Sequence, residues 1–511
     1  MDLIGLPDFA FGAMENWGAV TFRENLLLHY PDVTSKSGEE RIFEVIAHEI
    51  AHQWFGNLVT PSDWKYLWLN ESFATFFGFG VVDHYCPDWE TWQQFLYSMT
   101  GPALTRDALH ETFAIEIPGG EHVVINSSTA PIIYNKGGSI LRQIRGYIGE
   151  DNFKKGLQHY LKTYEYDCAA SQDLWQSMEA VTRQPISELM RSWIEQPGYP
   201  EVTVSRQNNR LKLKQQRFTC LPNESAQRWL IPVSVNLFSK TGDTRQLSVL
   251  MDKSEAVIEI DDDVAAYKVN ARQTGFYRVK YDDADNQVER GRRVQAKALS
   301  PEDRWGLQNH FFALVKSGKA SLVDYLEFLS AYRQEDAYLP LVSIADNLTG
   351  AYLVMGEEHR RHISSMAAPW FETVLHNIGY EPVKAEKHTT SLLREKFIWA
   401  AAFLGSDAAL DFARDRLKAL MEGAEIHPDI MRSVLQAGAY TGNDQVYDWF
   451  VQRMDQSRIE HERMNILTAL GCFKDKALIK KAQQYVLDTV PARNKFIPVV
   501  AMSANPYAVP L

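Results

Sequence analysis

His48-Glu49-Ile50-Ala51-His52, followed eighteen residues later by Glu71 in Trp68-Leu69-Asn70-Glu71-Ser72-Phe73, is the stretch on which the reading of this 511-residue chain turns. Residues four apart share one face of a helix, so His48 and His52 can aim their imidazoles at a single point. Two neutral imidazoles and a carboxylate make a three-ligand zinc set, with the fourth tetrahedral position left to a water. Glu49 follows the first ligand directly and can reach that water as a base. The flanks also predict a helix. Ser37-Gly38-Glu39-Glu40 reads as a capping box, apolar residues recur at Ile42, Val45, Ile46 and Ile50, and Gly56 stands where a C-terminal cap belongs. Two histidines at this spacing are often only a solvated helix face. Here Glu71 opens a second apolar helix containing Phe73, Phe76 and Phe77, and polar ligands among such aromatics are costly unless paired or metal-bound. One Zn2+ per chain is the better reading.

Composition narrows the remaining classes. Five hundred and eleven residues predict two to four domains rather than one core. Hydrophobic residues make up 45% and charged residues 23%, with no low-complexity tract, as in ordinary globular proteins. A net charge of −12 argues against nucleic acid, which requires a basic footprint. Cys86, Cys168, Cys220 and Cys472 lie far apart and form no CxxC pair, which points to reduced, buried thiols in a reducing, cytoplasmic compartment. The sequons at Asn70, Asn126, Asn223 and Asn347 read as chance matches, because a glycan at Asn70 would obstruct the site. The longest apolar run, near Phe73 to Val82, is too short to span a membrane.

Along the chain, residues 1–36 read as strands and loops. Phe9 to Gly18 places glycines around a short extended piece, either an ordinary hairpin edge or a place where another backbone approaches closely. Asp88 is expected to cap a helix through Trp92, Phe95 and Leu96, and another helix begins near Pro131. After Gln196-Pro197-Gly198-Tyr199-Pro200 the texture changes to short β-branched runs about ten residues apart. They are Val202–Val204, Leu211–Leu213, Trp229–Phe238, Leu247–Met251, Ala256–Ile260, Ala266–Val269 and Phe276–Val279. Past Pro301 the period is helical to the end, in the manner of stacked helix pairs.

Gly12-Ala13-Met14-Glu15-Asn16 upstream of His48-Glu49-x-x-His52-x18-Glu71 resembles the aminopeptidase N family, the gluzincin zinc aminopeptidases of alanyl and puromycin-sensitive type. Tyr134-x-Lys136-Gly137, Trp193 with Gln196-Pro197-Gly198-Tyr199-Pro200, Gly275-Phe276-Tyr277-Arg278-Val279 and Asp303-Arg304 extend the resemblance over essentially the whole chain. It implies a multidomain α+β fold. A mostly α, thermolysin-like catalytic domain would occupy residues 1–198, a small β-sandwich 199–290 and a C-terminal α-helical solenoid 291–511. Such relatives carry a further amino-terminal domain and a longer helical end, so the chain is expected to be a fragment truncated at both ends.

The resemblance also implies roles. His48, His52 and Glu71 hold zinc, Glu49 is the general base and acid, and Tyr134 stabilises the oxyanion. Gly12, Ala13, Met14, Glu15 and Asn16 line the substrate, with Glu15 holding the free amino terminus. A carboxylate facing an α-ammonium forms charge-assisted hydrogen bonds and makes an exopeptidase. The expected partners are peptides with a free amino terminus, with no nucleic acid and no membrane segment. Alternative readings are an impaired fragment or scaffold of the same fold, or a zinc hydrolase of another substrate such as an epoxide. An endopeptidase fits less well, because Glu15 would then meet no amine.

Overall fold

A computed structural model describes residues 1–7, 9–116, 124–222 and 224–510; the sequon at Asn223 lies outside them. The chain is mixed helix and sheet, with a helical carboxyl-terminal region. Packing divides it into two compact units, residues 1–46 with 341–511, and residues 47–340.

In the first unit a three-stranded sheet is built from Asp2–Leu6, Ala13–Met14 and Ala19–Arg23. The third strand lies at its centre, parallel to the first and antiparallel to the second. Val20 and Phe22 point to one face and pack with Val45, Leu26 and Leu27 into a small core. That alternation is the period-two pattern of a half-buried strand. Arg23 binds Glu460 (Nε to Oε1, 2.8 Å) in a pair that is nearly buried. In the carboxyl-terminal array, Glu357–Ile378 packs on His388–Phe403, which packs on Pro428–Tyr440, then Glu460–Leu470 and Phe496–Ser503. Asp407–Met421 packs on both His388–Phe403 and Pro428–Tyr440, and Asp444–Gln456 on both Pro428–Tyr440 and Glu460–Leu470, which is how amphipathic helix pairs bury a continuous stripe.

The Lys36–Ala51 helix begins two residues earlier than the expected capping box places it. Its cap is Ser35, whose Oγ accepts from Gly38 N at 3.3 Å, while Lys36 N donates to Asp429 at 2.6 Å. Glu40, the expected reciprocal member of the box, instead meets His388 Nε2 at 2.8 Å. A tertiary partner has outcompeted the local one. The helix ends at Ala51, so His52 sits in the turn beyond it, still tied by its N–H to His48 O at 3.2 Å. Asp88 caps nothing: it lies in a 3₁₀ turn, and the Thr91–Phe95 helix starts from Glu90 in the left-handed region.

In the second unit, Ile231–Ser239 is the middle strand of a three-stranded sheet, and Pro200–Gln207 and Arg210–Arg217 are the inner strands of a four-stranded one. Seven strands fall where the β-branched runs predict them. Val202, Val204, Leu211, Leu213, Val233, Val235 and Leu237 share a core with the helices around residues 68–194. Helix returns at Ala284, earlier than Pro301. The Pro301–Lys316 helix carries Asp303 onto Lys268, both within 3% of full burial, and Arg304 onto Glu335 at 2.6 Å. Buried charges of this kind persist only when paired.

His310 lies on the same helix, and its Nδ1 accepts from Val279 N at 3.2 Å. Burial, then the charges of Arg278 and Lys268, hold its pKa well below the usual value. Below about pH 6.5 the unfolded chain therefore takes up a proton that the folded chain refuses, and stability falls with falling pH. His310→Gln, which keeps an acceptor for Val279, should remove that loss. Urea unfolding at pH 7.5 and 5.5 should show the parent losing about 1.4 kcal/mol more than the variant, the value of one pH unit below the unfolded pKa. Equal acid losses would remove His310 as the cause.

Candidate active site

The two halves of the constellation arrive from the carboxyl-terminal end of the Lys36–Ala51 helix and from the first turn of the Trp68–Tyr85 helix. The Trp68–Tyr85 helix is apolar around most of its circumference, with Trp68, Phe73, Phe76 and Phe79 buried. Its first turn, which carries Glu71, is fixed by Trp68. That indole N–H faces Ser171 Oγ at 2.9 Å and Glu116 Oε1 at 3.1 Å. Burial raises the pKa of Glu116 against the lowering effect of the hydrogen bonds it accepts from Ser171 Oγ and the Trp68 indole. Gly56, at φ +123°, completes the approach. A Cβ there would stand 2.2 Å from Asn70 Oδ1, so only glycine lets the turn after His52 lie against the residue beside Glu71. Asn70 itself is buried, which leaves no space for a glycan.

The ligand atoms converge. His48 Nε2 and His52 Nε2 are 3.0 Å apart, and each is 3.4 Å from Glu71 Oε2. A tetrahedral zinc with bonds near 2.0–2.1 Å would set its ligand atoms about 3.3–3.4 Å apart, so the triangle has the size the ion needs. The donor chemistry fits as well. His52 Nδ1 lies 3.1 Å from Phe55 O, a pure acceptor, which places a proton on Nδ1 and frees Nε2 as a lone pair. Burial opposes charge on Glu71, yet the imidazoles of His48 and His52 that face its carboxylate outweigh it and hold the carboxyl well below the usual range. The site thus favours positive charge at the point the three groups share. A divalent cation supplies it without forcing protons between two nitrogens 3.0 Å apart.

Glu49 is buried at 5% exposure, one residue after His48. Tyr134 is half-buried, its ring stacked on His48 with centroids 6.2 Å apart and planes 11° from parallel. It sits in a π-helical turn, Pro131–Lys136, that runs into the Gly137–Ile148 helix. Gly12, Ala13, Met14, Glu15 and Asn16 belong to the first unit. Ala13 and Met14 pair with Phe22 and Thr21 at the sheet edge, Gly12 O accepts from Arg23 N at 2.9 Å, and Glu15 is half-buried just past the strand. The hairpin-edge reading of this stretch describes its pairing.

Several contacts escaped the sequence reading. Lys136 is fully buried against Asp107 (2.9 Å), and its Nζ donates to Gly198 O at 3.0 Å. Asp107 in turn accepts from Gly198 N at 3.1 Å and from Thr112 Oγ1 at 2.7 Å. A lysine inside the apolar run of residues 131–144 was the available signal, since it demands a buried anion. Nothing local identifies Asp107 as that anion. Ser72 Oγ donates to Ile133 O at 2.6 Å, a contact that depends on the fold alone.

Residues 1–193 match the peptidase family M1 domain, and residues 266–511 match an ERAP1-like C-terminal domain. Aminopeptidase M1 of Arabidopsis thaliana is 33% identical over 95% of this chain and 58% of its own length. Leucyl aminopeptidase of Saccharolobus solfataricus is 32% identical over 99% and 62%, and tricorn protease-interacting factor F2 of Thermoplasma acidophilum 35% over 97% and 61%. The chain thus spans about three fifths of the length of these relatives. Among the described residues no helix is long and apolar enough to cross a membrane.

Proposed function

We propose that this chain, which belongs to peptidase family M1, is a zinc aminopeptidase that removes the first residue from peptides carrying a free amino terminus. The observation that carries the reading is the triangle of His48 Nε2, His52 Nε2 and Glu71 Oε2 at 3.0–3.4 Å. In this reading residues 1–198 form the catalytic domain, 199–290 a β-sandwich and 291–511 a helical solenoid. Four unbonded cysteines fit a reducing, cytoplasmic compartment, though only Cys472 is buried and Cys168 is exposed, against the expected burial of all four.

Zinc held by His48, His52 and Glu71 would polarise the scissile carbonyl and acidify a water. Glu49 takes the proton from the attacking water and hands it to the departing amine, which its buried, water-poor setting favours. Tyr134 donates its phenolic proton toward the oxygen where negative charge develops. His52, oriented through Phe55 O, keeps its Nε2 available as a ligand. Glu15 holds the substrate α-ammonium, and the strand Ala13–Met14 lies along the peptide backbone.

Zinc content together with turnover of an aminoacyl-arylamide panel tests the reading, and a zinc-free or panel-inactive protein sinks it. Glu15→Ala tests the anchor. A hydrogen bond to a charged group contributes about 1.5–3 kcal/mol, so kcat/KM for free peptides should fall about tenfold or more. Affinity for an amine-free zinc chelator should not change. An equal loss on N-acetylated and free peptides would remove Glu15 from the anchor role.

A further inference from the structure

The groups that surround Tyr134 are held in place from two sides. On the carboxyl side, Lys136 is sealed into the Asp107–Gly198 network, with both side chains at 0% exposure. On the amino side, Ser72 is fully buried and donates its hydroxyl proton to Ile133 O at 2.6 Å. That carbonyl belongs to the peptide plane shared with the nitrogen of Tyr134. The bond therefore fixes the orientation from which the Tyr134 side chain departs. Ser72 is also the residue after Glu71, on the same helix.

Gly137 makes the contact possible. A Cβ at residue 137 would stand 1.9 Å from Ser72 Oγ and 2.8 Å from Ser72 Cβ. The hydroxyl occupies the space that a side chain at 137 would take. The Pro131–Lys136 turn is π-helical, a local widening that recurs at functional sites and needs tertiary contacts to hold it. Glu71 and Tyr134 come from segments 63 positions apart, and this hydrogen bond joins the immediate neighbour of each.

We propose that Ser72 is a positioning residue which sets the register between the metal-ligand helix and the turn carrying Tyr134, with Gly137 as its required complement. The proposal rests on the aminopeptidase reading for the role of Tyr134. Ser72→Ala keeps the apolar part of the side chain and loses the bond. Displacement of a reacting group by the order of an ångström costs up to about 10²-fold, so kcat should fall about tenfold or more with KM and zinc stoichiometry unchanged. In a Tyr134→Phe background the same change should cost less than about twofold, because residues acting as one unit are not additive.

The exchange Ser72→Gly with Gly137→Ala separates packing from hydrogen bonding. It refills the space from the other side, and should regain the thermal midpoint without regaining kcat. A readout free of turnover is the 19F spectrum of protein labelled with 3-fluorotyrosine, with the Tyr134 line assigned from Tyr134→Phe. Ser72→Ala should move that line and leave the other tyrosines in place. A Tyr134 line that stays put, full kcat in the exchange variant, or an equal cost in the Tyr134→Phe background would each overturn the proposal. An unmutated chain inactive on every arylamide would overturn the aminopeptidase reading instead, with the 19F line still deciding whether Ser72 orients Tyr134.

Discussion

Glu49→Gln is expected to retain one zinc per chain and to lose hydrolysis by about 10²- to 10⁴-fold, the range that a positioned general base contributes. The substitution preserves shape and helix propensity and removes only the carboxylate charge. Glu49 follows His48 in a helix, where successive side chains are turned about 100° apart, so it stands beside the converging ligands rather than among them, its carboxylate within 4.8 Å of a His52 ring nitrogen. Its burial at 5% exposure makes an ionised carboxylate costly there, and a glutamine should fold at least as stably. The loss should therefore appear in kcat alone. Measured zinc content and a Michaelis–Menten series on the same preparation decide it: loss of stoichiometric metal would make Glu49 a ligand, and unchanged kcat would make it a bystander.

What the sequence revealed and what it concealed divide along physical lines. The convergence of His48, His52 and Glu71 was legible because donor types suited to a metal stand at a spacing set by helix geometry. The seven strands were legible because β-branched runs alternate between one buried and one open face, as Val202 and Val204 do. Local ends were less so. Ser37 and Glu40 satisfied a capping pattern, yet Asp429 and His388, nearly 400 and 350 residues away, drew the helix start and Glu40 into other bonds. The Asp107–Lys136 pair and the Ser72–Ile133 bond were invisible for the same reason. Each joins segments whose proximity only the folded chain creates.

Glu71→Ala should have an effect of a different kind from Glu49→Gln, on the metal before the chemistry. Loss of an outer-shell partner already costs about 10–100-fold in metal affinity, and removing one of three ligands should exceed that. The remaining pair, His48 and His52, can no longer close the 3.4 Å triangle. Binding of a ligand to the folded state alone adds stability in proportion to the logarithm of its excess, about 2.7 kcal/mol at a hundredfold excess over Kd. The unmutated chain and Glu49→Gln should both show that increment when zinc is restored after chelation, and hydrolysis should return only in the unmutated chain. Glu71→Ala should show neither the increment nor the activity at the same free zinc. Denaturant unfolding at matched free zinc, with and without chelator, measures all three. If Glu71→Ala still gained the full increment, zinc would be held elsewhere, and the triangle of His48, His52 and Glu71 would not be its site.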